Sequence, residues 1–544
     1  MKKLERRLSL TSVIAISIGG MLGSGIFVLP GIAAAKTGPS VWLAYLLAAI
    51  CILPAALSKS ELSSAMPTSG GTYVYIERVF GPILGTISGI GLWLSLLLKS
   101  SFALIGFGAY LLVLIQVPES YMKIIAIAFL FLIMLLNILG VKKVGRVQIA
   151  VVSLSLVGLV ILLFSGLPFV SEQLLTPFTY NGTRGLISTV AFVYISYAGV
   201  TKIAAIAGEV KNPSRNIPLG MLFSLIIITL IYVSITYVLV GNIPVQKLAN
   251  DIKPIFSLAH NIAGSTFGYV IATIGVITLI SMANSGVLAT SRFPFAMALD
   301  KLFPEQLGKV HKKYLTPVNS ILLTCIVMTI VIIFLDVEKI AKLASAFMMI
   351  MFISVNTCVI ILRETAVQWY NPKFLSPLYP FVQLFGIFSG FVLLFFLGWI
   401  PLLAIIMITF FGIIVYFFYG KDAARTGVLK KYGHRPALLL FFSKNARYNH
   451  LIELAKKKEN QEIQINISKE TGVIVPLLGN EKSPEMLIEM GAAINTKQTI
   501  QAINITEVPD QTLLEAISDK GAKTASIQRQ IEVLSKEDNL DIGF

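Results

Sequence analysis

The feature that most constrains this chain is a recurrence of apolar runs of about 18 residues or more, long enough at 1.5 Å per residue to cross a bilayer's hydrocarbon. They centre near Ile18, Leu46, Leu98, Leu130, Val157, Val193, Ile228, Val276, Val327, Phe352, Gly390 and Ile405. An all-α polytopic membrane protein with about twelve transmembrane helices is expected. Of the 544 residues, 56% are hydrophobic and only 13% charged, about half the charged share of a soluble domain. That excludes a soluble enzyme as the main body and makes the lipid bilayer a partner of the fold.

A formal net charge of +16 would suit nucleic acid, but its distribution does not. Met1 to Gly420 carries +15, whereas Lys421 to Phe544 carries +1. In the first part the basic residues sit in short loops, mostly on one side, among them Lys2, Lys3, Arg6, Arg7, Lys59, Arg78, Lys142, Lys143, Arg146, Lys309, Lys312 and Lys313. Loops of the other side hold chiefly Lys36, Arg184, Lys247, Lys253 and Lys339. The positive-inside rule accounts for this pattern without nucleic acid and places both termini in the cytoplasm of a multi-pass plasma-membrane protein. Cys51, Cys325 and Cys358 all fall inside apolar segments, so no disulfide framework is implied. The N-terminus is charged and the first apolar run has no small-residue cleavage site, which is not the pattern of a signal peptide.

The composition divides the chain into a transmembrane domain over 1–420, a connector over 421–470 containing the run Lys456-Lys457-Lys458, and a small cytoplasmic α/β domain over 471–544. In the last, a buried strand is expected at Val473 to Leu477 and a helix opened by Ser483 and Pro484. A second strand follows near Ile500 to Ile505, then a helix from about Thr512.

The first span holds the sequence Gly19-Gly20-Met21-Leu22-Gly23-Ser24-Gly25-Ile26-Phe27. Glycines at this density weaken a helix interior by about 1 kcal/mol each relative to alanine. A membrane tolerates the freed backbone groups only where protein or a watery cavity satisfies them. A discontinuous helix of this kind can hold a carboxylate on its free N–H groups. Five spans later, Ser196-Tyr197-Ala198-Gly199-Val200-Thr201 predicts a second break. Interruptions at matching positions of two five-span halves point to a five-plus-five inverted repeat with broken helices 1 and 6 and a binding site between them.

The residues Gly23 to Phe27 with Pro30-Gly31 resemble the opening motif of the amino acid, polyamine and organocation (APC) superfamily of permeases. Glu61-Leu62, Pro67, Gly70-Gly71, Tyr73 and Tyr75 resemble the stretch after that family's second span. The sixth span and following loop match through Gly199, Glu209-Val210-Lys211-Asn212-Pro213 and Ile217-Pro218. Asn284, Arg292, Ala296 to Asp300 and Phe303-Pro304 resemble the end of its eighth span. This resemblance, from about Leu8 to Gly420, implies transport of amino acids or amines by alternating access. It implies that N–H groups of Gly23, Ser24 and Gly25 hold the substrate carboxylate, and that carbonyls near Met21, Ile195, Ser196 and Ala198, beside Gly199, hold its ammonium. It also puts Tyr194, Tyr197 and Ser100 at the substrate. The tail resembles the first half of a universal stress protein domain through its strand, Pro476 and the Ser483 helix. That family's later Gly-rich nucleotide loop has no counterpart here, so nucleotide binding is not carried over.

Two usual coupling residues of the superfamily are missing. Thr201 stands where many members have an acid, and Ser155 where others have a fifth-span lysine. No acid falls clearly within a membrane core, which favours neutral amino acids over cationic ones as substrate. Lys99 lies sixteen residues after Ile83, roughly 24 Å along a helix and so at mid-membrane. Charge at such depth is costly and usually functional, so Lys99 and Lys202 are the candidate proton-coupling groups, the alternatives being a structural Lys99 bonded to helix-break carbonyls and a Lys202 that snorkels toward the cytoplasm. A sodium site, the less favoured alternative to the proton, would draw on Gly20, Gly23, Ser281 and Ser285. The competing functions are an amino acid exchanger, an organic-amine carrier and a membrane amino acid sensor. Catalytic residues, a cofactor and a metal-ligand cluster are not expected, since His260, His311, His434 and His450 are scattered and no nucleophile is paired with a base.

Overall fold

A computed structural model describes residues 8–66, 71–140, 144–249, 251–311, 313–365, 367, 369–421, 427–431, 471–477, 484–494, 499–504 and 542–543. Pro67, Gly70, the connector beyond Lys431, the Ser483 cap and the helix expected from Thr512 lie outside the described residues. The chain forms two compact units, Met1–Ile361 with Pro372–Lys431, and Leu362–Asn371 with Tyr432–Phe544.

In the first unit, the first span is built in pieces: α1 (Leu10–Met21), α2 (Ser24–Phe27) and α3 (Leu29–Thr37). α4 (Val41–Ala65) is the second span, α5 (Thr72–Phe80) a short connector, and α6 (Pro82–Ile115) the third span. α7 (Met122–Leu139) and α8 (Val144–Gly166) follow. The sixth span is α9 (Gly182–Val193) running directly into a 3-10 stretch, Tyr194–Glu209. After it come α10 (Pro213–Asn242), the short α11 (Val245–Leu248) and α12 (Pro254–Leu299), which is kinked at Ala263 and Gly264. α13 (Val318–Phe334), α14 (Val337–Thr365), α15 (Phe381–Phe396) and α16 (Trp399–Val415) complete the spans, with α17 (Val428–Lys431) beyond them. Among the described residues eight helical segments are long and apolar enough to cross a membrane, and α1, α13 and α15 are shorter apolar helices. The protein is a multi-pass membrane protein whose two segmented spans stand five spans apart. We call the side of Leu10 and Ala65 the near side and that of Thr37 and Val41 the far side.

Burial sorts the spans into centre and periphery. α6 packs along α12, α10 against α4, and α1 against both α10 and the 3-10 stretch. Toward the outside, α7, α15 and α16 expose Phe131, Leu136, Phe388, Phe395, Phe410 and Phe411. Such a surface is stable only against lipid, because hydrocarbon tails solvate it as well as protein does. Several basic residues expected in loops lie in helices: Lys36 is in α3, Arg146 in α8, Arg184 in α9, Lys247 in α11 and Lys339 in α14, and Lys59 lies inside α4, only 1% exposed. The helix runs on to Ala65 because its polar last turns are buried against protein, so the end of the apolar run does not mark the end of the span. Arg78 likewise belongs to a helix, α5.

In the second unit, β1 (Thr471–Leu477), β2 (Thr499–Asn504) and β3 (Ile542–Gly543) form a parallel sheet in the order β1-β2-β3. α18 (Pro484–Ile494) connects the first two strands and packs on both. Val475, Leu477, Ile488, Ile500 and Ala502 make its core. Parallel strands require such a crossover.

Candidate functional site

The first break is forced by sequence at Gly23, whose φ of +145° is a conformation that side chains rarely adopt. A Cβ there would also sit 2.0 Å from the Met282 sulfur on α12. Interrupting the helix leaves carbonyls without the turn that would otherwise bond them. Four carbonyls around the break accept from side chains of distant helices. Lys99 Nζ on α6 donates to the Gly20 carbonyl at 3.0 Å. Tyr232 Oη on α10 donates to Met21 O at 2.7 Å, and Tyr45 Oη on α4 to Gly25 O at 2.7 Å. Tyr110 Oη donates to Phe27 O at 2.7 Å, so the break is ringed by one lysine and three tyrosines, all buried.

The sixth span meets this break backbone to backbone. A Cβ on Gly199 would fall 2.0 Å from the Gly20 carbonyl carbon, and one on Gly25 would fall 2.8 Å from Ser196 Cβ. Ser196 Oγ donates to Gly25 O at 3.4 Å, and Tyr197 Oη to Tyr45 O at 3.0 Å. Tyr197, Tyr45 and Tyr232 pack ring against ring, with centroids 5.3 to 6.4 Å apart. The Ile195 N–H donates to Ser345 Oγ on α14, which donates in turn to Phe192 O. The structure thus brings Met21, Gly23, Ser24 and Gly25 together with Ser196, Tyr197, Ala198 and Gly199, whereas the Tyr194 ring packs at a tilt against Phe352 of α14, with centroids 5.9 Å apart.

Beside the junction lies a cavity of about 10 Å³, room for a single water, lined by Leu96, Lys99, Ser100, Lys202, Met282, Gly286 and Ala289. Both candidate lysines face it, with the Ser100 hydroxyl between α6 and α12. Ser100 fits there only because position 286 is glycine, since a Cβ would lie 2.0 Å from its Oγ. No acidic side chain is among these lining residues. Ser155 is buried on α8 and shares a 2.6 Å hydrogen bond with Thr278 of α12. Of the residues considered for sodium, the Gly20 carbonyl accepts from Lys99, and Ser285 Oγ donates back to Met282 O in its own helix. Among the described residues no group of His, Cys, Asp and Glu could hold a metal ion.

Comparison with known proteins decides the family. A family profile described as "Amino acid permease" matches residues 8–423. The chain belongs to the amino acid permease family. It is 28% identical over 446 residues to the branched-chain amino acid permease BcaP of Bacillus subtilis (strain 168), covering 78% of this chain and 95% of that one. It is 28% identical over 442 residues to the methylthioribose transporter of the same organism, covering 77% and 94%. To the serine/threonine exchanger SteT, also of that organism, it is 27% identical over 402 residues, covering 72% and 91%.

In this permease several site residues carry no signal in the sequence. Tyr45, Tyr110 and Tyr232 read as ordinary span aromatics, yet they cap the carbonyls of the first break. Met282 reads as packing, yet it lies against Gly23, and the Ser24 hydroxyl points to its sulfur at 3.9 Å. Only long-range pairing reveals these roles, which one-dimensional periodicity does not encode.

Proposed function

We propose that the protein is a secondary active transporter that carries neutral amino acids across the plasma membrane by alternating access, coupled to protons through Lys99 or Lys202. The observation that carries this reading is the cavity beside the first break, faced by both lysines and lined by no carboxylate. A zwitterion's carboxylate would be received by the N–H groups of Gly23, Ser24 and Gly25 at the start of α2, where no preceding turn takes them. A protonated lysine nearby attracts that same carboxylate, so proton and substrate favour each other's binding, which is the linkage a symporter needs. An acid facing the side chain, as a cationic substrate would want, is not part of this cavity. Lys99 on the Gly20 carbonyl supplies a cation where sodium would otherwise be drawn, which favours the proton.

In this reading both termini are cytoplasmic, so the near side is the cytoplasm. Residues 1–420 form the transporter, 421–470 the connector, and 471–544 an α/β appendage similar to the first half of a universal stress protein domain. A second reading is exchange, favoured by the similarity to a protein named as a serine/threonine exchanger. The test is uptake of a panel of labelled amino acids into proteoliposomes, with and without an inward proton gradient and with sodium present or absent. Concentrative uptake of neutral amino acids on the proton gradient alone is expected. Uptake that requires an internal amino acid would establish exchange instead, and binding without flux would leave a sensor.

A further inference from the structure

The near-side connection between α12 and α13 contains a stretch, 309–316, that combines exposed apolar side chains with a run of bases. Val310 is 47% and Leu315 78% exposed, and Lys309, His311 and Lys313 are exposed beside them. From 306 to 316 the sequence has Lys309, His311, Lys312 and Lys313 and no Asp or Glu. Leu315 stands at φ +55°, a left-handed conformation that a bulky side chain occupies only at a cost. A large apolar side chain is thus held out from the protein in a backbone conformation that glycine would take freely.

Internal bonds set this shape. The His311 N–H donates to Thr316 O at 3.0 Å, the Leu315 N–H to His311 O at 2.9 Å, and the Lys313 N–H to His311 Nδ1 at 3.2 Å. The His311 ring stacks on Tyr314 at 4.9 Å, and the Lys313 ammonium lies 5.6 Å from the centre of that same Tyr314 ring. Further bonds fix where the stretch stands. Thr316 Oγ1 donates to Ile138 O in the last turn of α7 at 2.8 Å. Gly140, just after that turn, leaves room for it, since a Cβ there would lie 3.3 Å from Tyr314 O. α7 is peripheral and exposes Phe131, Leu136 and Leu139, so its last turn marks where hydrocarbon gives way to head groups. The stretch therefore sits at the perimeter of the protein, at head-group depth.

We infer that 309–316 is a seat for an anionic phospholipid of the near leaflet, with Lys309, His311 and Lys313 around its phosphate and Val310 and Leu315 beside its acyl chains. Bases without a neighbouring acid complement a head group of net negative charge, and exposed apolar side chains gain by entering the head-group and acyl boundary. A general excess of near-side bases would attract any anionic surface without needing Leu315. A seat of this shape needs both the lysines and the leucine. The inference goes beyond the transport reading and requires only that the chain spans a membrane.

The test uses the full chain in detergent, titrated with phosphatidylglycerol or with phosphatidylcholine of the same acyl chains, and reads bound lipid and melting temperature together. Phosphatidylglycerol is expected to bind and to raise the melting temperature where phosphatidylcholine does not, and to bind less tightly in high salt. Lys309→Gln combined with Lys313→Gln should weaken it about twentyfold, roughly fivefold for each lysine. Lys309→Arg combined with Lys313→Arg should bind as the parent does. Leu315→Gly separates the seat from the stability of the loop itself. Without lipid it should melt no earlier than the parent, because glycine adopts a positive φ freely, yet it should bind phosphatidylglycerol about tenfold more weakly. Inorganic phosphate alone should give no protection. Equal binding of the two lipids by the parent, parent-like binding of phosphatidylglycerol by either the double Gln variant or Leu315→Gly, an earlier melt of Leu315→Gly, or protection by phosphate alone would overturn the seat.

Discussion

In the first span the α-helix stops at Met21 and restarts at Ser24, whereas in the sixth α9 passes without a gap into sixteen residues of 3-10 winding. The consequences for the backbone differ. Around the first break the carbonyls of Gly20, Met21, Gly25 and Phe27 are each taken by a side chain from another helix. In the sixth, i→i+3 bonding satisfies much of the backbone locally, and the outside bonds on it from Ser345 and Ser17 are longer, at 3.1 to 3.4 Å. A pinned break is a fixed receptor for a polar head group. A rewound helix is a reservoir of movement, because the 3-10 and α forms exchange by shifting bond partners rather than by exposing them. In the proposed transport cycle, the first span would supply binding geometry and the sixth conformational change.

The strongest way to break this comparison is to separate the two spans. Gly199→Ala places a Cβ inside the Gly20 backbone, and overpacking of this kind costs about 1–3 kcal/mol or more. The variant is expected to melt earlier in detergent and to lose most uptake. An unchanged melting temperature would mean the spans do not bear on each other. A smaller effect separates the two modes of support. Tyr232→Phe strips the Met21 carbonyl of its donor and should cost about 1–2 kcal/mol in thermal unfolding. Ser17→Ala removes the long bond to Val200 O and the acceptor of Ser224 Oγ, which keeps Met221 O as a partner, and should cost less than Tyr232→Phe, about half a kcal/mol. Equal losses would erase the distinction. The smallest perturbation is none at all: hydrogen exchange in the unmodified protein should be faster for Ile195 to Gly199 than for Ile26 and Phe27, because the 3-10 stretch reopens more readily.

Much of the fold was legible because a bilayer imposes so few solutions. Apolar runs gave way to helices at the expected places, and the Gly19 to Gly25 cluster marked the first break to within a residue or two. The depth of Lys99 was legible too, since the spacing from Ile83 puts it in the middle of the third span, where it is buried within α6. The sixth span was less so: Ser196 to Thr201 announced a disturbance, but composition does not separate 3-10 winding from a gap, and the change begins at Tyr194. Lys59 was misread as a loop cation because hydropathy ends where polar residues begin, even when protein buries them. The tyrosine caps were invisible, since they join positions up to 211 residues apart and rest on how helices are rotated against one another.

The central claim is that a cavity lysine carries the coupled proton. It is tested most directly by proton flux accompanying amino acid uptake in proteoliposomes, measured across pH for the parent, Lys99→Ala and Lys202→Ala. The account expects protons to enter with substrate in the parent, and one of the two variants to lose that flux and the pH dependence of uptake together. Proton flux and pH dependence unchanged in both variants would contradict it.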